Sequence, residues 1–140
     1  MAEQQPVELV QGYAKIDESP SFEPQWYKLD EIAPVALRPG VSARFMTGGR
    51  MMFSFVHLEP GGRVELHQHP HEQCGYMIEG MMHLTIGDET RELRPGDCYT
   101  IPGGVPHGAT GGPEGGLALD VFAPVREDYV ELAKQAAAGQ

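Results

Sequence analysis

Glycine and proline punctuate the middle of this chain at short, even intervals, and that spacing limits the fold more than any other feature. Pro60-Gly61-Gly62, Glu79-Gly80, Gly87-Asp88, Pro95-Gly96-Asp97 and Pro102-Gly103-Gly104 each read as a turn. Glycine admits positive φ, and proline fixes φ and removes an N–H, so regular structure stops at such pairs. The runs between them are Met51–Leu58, Arg63–His69, Cys74–Ile78, Met82–Ile86, Cys98–Ile101 and Leu117–Phe122. They are too short for helices and rich in strand-forming residues, and many short strands at this spacing predict an antiparallel sandwich or barrel.

The two ends differ from the middle. Pro6, Pro20, Pro24, Pro34 and Pro39 exclude a long helix from the first forty residues, where Trp26–Leu29 reads as an edge strand. Val41–Met46 is expected to open the main sheet. Arg126–Ala138 lacks proline and glycine, and Tyr129, Leu132, Ala133 and Ala136 recur at i, i+3, i+4 and i+7, which predicts one amphipathic helix. Its first turn carries Glu127 and Asp128, favourable near a helix N-terminus. The expected organisation is an arm over residues 1–40, a barrel over 41–124 and a C-terminal helix over 125–140.

At 140 residues the chain is one domain with a core that needs no disulfide framework. The net charge of −10 excludes the basic footprint that nucleic acid or an anionic membrane requires. Cys74 and Cys98 lack metal-binding or redox spacing and are expected as small buried apolar residues. The stretch MAEQQPVELV has neither a basic region nor a long apolar run, so a cytoplasmic location is expected. Six of seven methionines fall between Met46 and Met82, read either as core filler or as a pocket lining.

The chemistry concentrates in His67-Gln68-His69-Pro70-His71-Glu72-Gln73. In a strand, residues two apart leave the same face, so His67 and His69 can converge on one ion. Gln73 shares their parity and Glu72 does not, which makes the amide rather than the carboxylate the third ligand if the run stays extended. Imidazole nitrogens suit zinc, copper, iron and nickel. His71 reads as exposed or supporting, and His57 and His83 as ordinary strand residues.

The spacing extends well beyond this cluster. Gly61 is followed after five residues by His67-x-His69, then after three by Gln73 and after six by Gly80. Gly96 is followed after five residues by Pro102-x-Gly104 and after two by His107. This pattern resembles the two signature motifs of the cupin superfamily. The resemblance implies an all-β double-stranded β-helix, a cupin jelly-roll barrel, here with an irregular N-terminal arm and one C-terminal α-helix. It also implies that His67, His69, Gln73 and His107 hold one divalent transition metal per chain, with Zn, Ni, Mn, Fe and Cu all open. Many cupins have Glu where this chain has Gln73. A neutral amide leaves the ion its full charge, which favours Lewis-acid work on an anionic oxygen substrate over oxygen activation.

A narrower resemblance lies in HPHEQ-x-GY, LRPGD, IPGGVPHGA and LDVFAPVREDY, which look like small cupins of the KdgF type. Those proteins open 4,5-unsaturated monouronates to linear 5-keto-4-deoxyuronates. The resemblance implies that Asp120 is the catalytic acid/base, and that Phe122 and Arg126 bind substrate, Arg126 by a bidentate grip on a carboxylate. By parity with Gln73, Met77 is expected to face the substrate; Arg44 and Arg50 are alternative anion anchors. The competing expectations are an Fe-, Ni- or Cu-dependent dioxygenase acting on a small enol or phenol, and a small-molecule or metal-binding module without catalysis. The expected partners are a small anionic substrate and a second copy of the chain in a homodimer, the arm with Trp26 and Tyr27 covering a sheet edge.

Overall fold

The computed structural model describes residues 22–139, so the expectations for residues 1–21 lie outside the described residues. Eight strands follow one another: β1 (Val35–Arg38), β2 (Val41–Thr47), β3 (Met52–Leu58), β4 (Arg63–His67), β5 (Glu72–Ile86), β6 (Glu89–Leu93), β7 (Cys98–Ile101) and β8 (His107–Ala123). A 3₁₀ turn at Leu29–Glu31 precedes them and helix α1 (Glu127–Ala138) follows. All pairings are antiparallel.

Two long strands close the barrel. The C-terminal half of β8 pairs with β3 and with the N-terminal half of β5, which also carries β7. The N-terminal half of β8 pairs with β4 and with the C-terminal half of β5, which also carries β6. Each long strand therefore belongs to both sheets of a jelly roll. This changes the reading of Glu79-Gly80, which is not a turn. Gly80 has φ +72° inside β5, where the register against β8 shifts twice, and an added Cβ there would collide with the backbone at Gly115 and Gly116. Glycine serves here for a bulge and a close approach of strands rather than for a turn.

Other boundaries also move. Val35–Arg38 joins the sheet, so strand pairing begins inside the segment read as arm. Trp26–Lys28 has no regular structure, and the strand expected there does not form. The core has two parts. Val41, Leu58, Met77, Met82, Leu84, Leu93 and Ala118 fill the space between the sheets. Fully burying such a side chain contributes about 1.5–3 kcal/mol. Val35, Ala43, Phe45, Met52 and Phe122 pack beneath α1, against Tyr129, Leu132, Ala133 and Ala136, the stripe that the helical period marks. Phe45 and Tyr129 stack with centroids 4.7 Å apart. No helix among the described residues is long and apolar enough to cross a membrane.

Cys74 and Cys98 are exposed, contrary to expectation. Parity explains it: the inward positions on β5 and β7 go to Gln73, Met77 and Ile101, which turns both cysteines to the outer face.

Candidate metal centre

Three histidines meet at one mouth of the barrel, supplied by three different places in the chain. His67 ends β4, His107 opens β8, and the two are paired across the ladder. His69 lies beyond the end of β4, in the loop that Pro70 turns toward β5, so the heptapeptide is not one continuous strand. The ring centroids are 4.3 Å apart for His67 and His107, 4.9 Å for His69 and His107, and 5.7 Å for His67 and His69. One ligand atom from each lies within 4.8 Å of the others. A shared ion about 2.1 Å from each nitrogen allows at most about 4.2 Å, so a small rotation of the rings closes the set.

The backbone decides which nitrogen of each ring is free. His67 Nδ1 faces the Glu65 carbonyl at 2.8 Å, His69 Nδ1 that of His71 at 3.1 Å, and His107 Nδ1 that of Val105 at 2.9 Å. A carbonyl only accepts, so each Nδ1 carries the proton and each Nε2 presents its lone pair. His107 Nε2 is buried with no partner among the described residues. Burial pushes His107 down to about 4, and burial together with the Arg126 charge lowers His69, so both rings are neutral near pH 7.

Gln73, at the start of β5, is buried, whereas Glu72 is exposed. Gln73 Oε1 lies 3.2 Å from His69 Nε2. A neutral imidazole has one proton and cannot serve both the His71 carbonyl and this amide oxygen. A cation between Nε2 and Oε1 satisfies both atoms, so the donor set fits a divalent transition metal. His71 contributes its carbonyl to this arrangement, and His57 and His83 are exposed on the barrel's outside.

A model of the cupin domain matches residues 54–121. The pectin degradation protein KdgF of Dickeya dadantii is 30% identical over 107 residues, covering 74% of this chain and 97% of that protein. The chain belongs to the cupin superfamily. Its KdgF-type character is also visible in three dimensions. KdgF from a Halomonas species superposes with a TM-score of 0.72 at 28% identity, over 76% of this chain and 99% of that one. An RmlC-like cupin from Shewanella frigidimarina gives a TM-score of 0.71 at 26% identity, over 76% of this chain and 96% of that one.

Inside this cupin a cavity of about 180 Å³ runs from the histidine mouth to an apolar floor. His67, Gln73, His107, Asp120, Phe122 and Arg126 all line it. Asp120 is 7% exposed and accepts a 2.5 Å hydrogen bond from the Tyr99 hydroxyl. Burial pushes its carboxyl up to about 6, against the opposing pull of bonds from Tyr99 and Gln73. Burial, then the neighbouring Asp120 charge, raises the Tyr99 phenol, which stays protonated as the donor. Phe122 sets its ring edge-on to His69 at 5.6 Å and walls the site.

Two expected substrate contacts change. Met77 is fully buried in the inter-sheet core and does not line the cavity; it faces inward as parity requires, but lies deeper, packed against Gly116. Arg126 lines the cavity, yet its fork is engaged: Nε and Nη2 reach the Asp128 carboxylate at 3.3 and 2.7 Å, and the guanidinium lies 3.6 Å from the Tyr129 ring centroid. Arg44 donates to the Ile32 carbonyl, and Arg50 is exposed in the turn before β3.

The sequence reading missed Ser54, Arg38 and Tyr99, all of which line the cavity. Ser54 carried a signal, being a lone serine on the buried parity of a β-run with Met52 and Leu58. Arg38 was assigned to the arm. Tyr99 had no local signal, because its inward aim depends on its partner strand.

Proposed function

We propose that this cupin is a metal-dependent isomerase that opens 4,5-unsaturated uronates to linear 5-keto-4-deoxyuronates, with proton transfer and no net redox change. The observation that carries the reading is a buried carboxyl, Asp120, with a pKa near 6 in the same cavity as His67, His107 and Gln73. A carboxyl in that range both takes and returns a proton near neutral pH. Kinship with a protein named for pectin degradation supports the substrate class.

His67, His69, Gln73 and His107 would hold the metal. When bound, it would supply a Lewis acid for substrate oxygens and for the charge that develops on them. Asp120 takes the proton of the hemiacetal hydroxyl on C1. The bond from C1 to the ring oxygen then breaks, C1 becomes an aldehyde, and the electron pair stays on the former ring oxygen as an enolate at C5. Asp120 returns the proton to C4, leaving a ketone at C5, so atoms and charge balance without a co-reactant. Tyr99 fixes the orientation of the Asp120 carboxyl. Phe122 excludes water from one wall. Asp128 is well exposed, so a substrate carboxylate can displace it from Arg126 and take over the bidentate grip. The neutral amide of Gln73 weighs against the dioxygenase reading, since it stabilises a higher-valent metal less than a carboxylate does.

The working unit in this reading is a homodimer. Trp26 is 99% exposed, and Phe22 and Tyr27 beside it are only about half covered, which leaves an aromatic segment open to a partner's surface.

The test is direct. Metal-free protein is loaded in turn with Zn, Mn, Ni and Fe(II) and offered 4,5-unsaturated galacturonate with and without oxygen. Faster loss of the unsaturated chromophore, independent of oxygen, is expected; no acceleration with any metal refutes the assignment.

A further inference from the structure

One buried polar atom in the cavity wall has no role in the steps above. Ser54, on β3, is 1% exposed and lines the cavity, and its Oγ has no hydrogen-bond partner among the described residues. An unpaired buried hydroxyl destabilises a fold, so its retention calls for a use outside the folded chain. Its position narrows that use. Ser54 pairs with Asp120 across β3 and β8, Asp120 with Gly75 across β8 and β5, and Gly75 with Tyr99 across β5 and β7. Directly opposed residues of an antiparallel ladder project from the same face, with Cβ atoms about 5 Å apart. Hydroxyl, carboxyl and phenol therefore form one transverse row, in which Tyr99 is bonded to Asp120 and Ser54 is not. Below the row the lining turns apolar, with Val41, Leu58, Met82 and Leu84.

We propose that Ser54 is a second catalytic residue, whose Oγ–H donates to the substrate oxygen from which Asp120 takes its proton. The proposal rests on the ring-opening assignment and deepens it. A hemiacetal hydroxyl set between the two side chains donates to Asp120 and accepts from Ser54. As its proton moves to Asp120, that oxygen gains negative charge and then becomes a carbonyl, an acceptor at every stage. Ser54 transfers no proton; its hydrogen bond shortens and strengthens as charge develops. The substrate class follows: a cyclic sugar acid with a free hydroxyl on the carbon that becomes the carbonyl. A methyl glycoside of the same acid has no proton to give Asp120 and is excluded.

Ser54→Ala separates this role from a structural one. Metal content, thermal midpoint without substrate, and kcat and KM on 4,5-unsaturated galacturonate are measured for both proteins. Removing an unpaired hydroxyl is expected to raise the midpoint by about 3 °C or more. It is also expected to lower kcat by about tenfold to a hundredfold with metal content unchanged. A lower midpoint overturns the proposal, since the hydroxyl is then bonded within the protein. A kcat within twofold of the unaltered protein overturns it while leaving the ring-opening assignment intact. An unaltered protein with no turnover overturns both.

Discussion

Replacing Gly75 by alanine probes the construction of the site, and the expected sign is the reverse of the usual one. Glycine inside a strand ordinarily destabilises by about 0.5–1 kcal/mol relative to alanine. Gly75 has no positive φ that would forbid a side chain, so the backbone accepts alanine. The obstacle is Tyr99, whose ring and hydroxyl occupy the place of the new Cβ. Displacing the ring breaks its bond to Asp120, worth about 1.5–3 kcal/mol for a carboxyl acceptor, and overpacks the wall by about 1–3 kcal/mol. Set against the gain from removing a glycine, the net loss is about 2–5 kcal/mol. For 140 residues the unfolding entropy at the midpoint is about 0.3 kcal/mol/K, so the melting temperature should fall by about 7–17 °C. Calorimetry on Gly75→Ala, Tyr99→Ala and the double variant completes the cycle. With Tyr99 removed, Gly75→Ala should become neutral or raise the melting temperature. If Gly75→Ala is as stable as the unaltered protein, or if the two changes add without coupling, Tyr99 does not lie across Gly75 and the argument fails.

Four further outcomes are expected. In metal-free protein the neutral Asp120 carboxyl contributes stability that is fully present below about pH 4 and lost as pH rises through about 6. The gap between 3.8 and about 6 corresponds to about 3 kcal/mol at 1.36 kcal/mol per pH unit. Asp120→Asn should therefore gain on the unaltered protein by about 10 °C in melting temperature between pH 4 and pH 8; a constant difference refutes the raised carboxyl. Saturating metal at a hundred times its Kd should raise the melting temperature by about 9 °C. His67→Ala, His69→Ala and His107→Ala should each lose the bound metal by elemental analysis while Glu72→Ala keeps it, and retention by all three histidine variants removes the site. Light scattering should give a dimer at micromolar concentration, with Trp26→Ala weakening it at least tenfold; a monomer removes that proposal.

The all-β class and the C-terminal helix were legible because both rest on local periodicity. Tyr129, Leu132, Ala133 and Ala136 mark a helical stripe that any packed helix must bury. The choice of Gln73 over Glu72 as the inward residue came from parity and agrees with its burial, although the run is broken by the loop at His69 rather than continuously extended. The same rule misplaced Met77, since parity gives the side of a strand and not the depth along the barrel. The cysteines, expected as buried residues, lie on the outer face instead, because the inward face of β7 is set by its pairing with β5.

By itself, the sequence determined what is short in range: where the chain turns, which residues share a face, and which side chains have the chemistry for a metal. Tertiary structure alone decided the row of Ser54, Asp120, Gly75 and Tyr99. Those residues come from four strands, and a slip of one residue in any pairing would turn a member of the row to the other face. Register across strands is a long-range property, settled only when both sheets bury their inner faces together. For that reason the metal ligands and Asp120 could be read from motifs, while the Tyr99 and Ser54 hydroxyls set beside Asp120 had to wait for the fold.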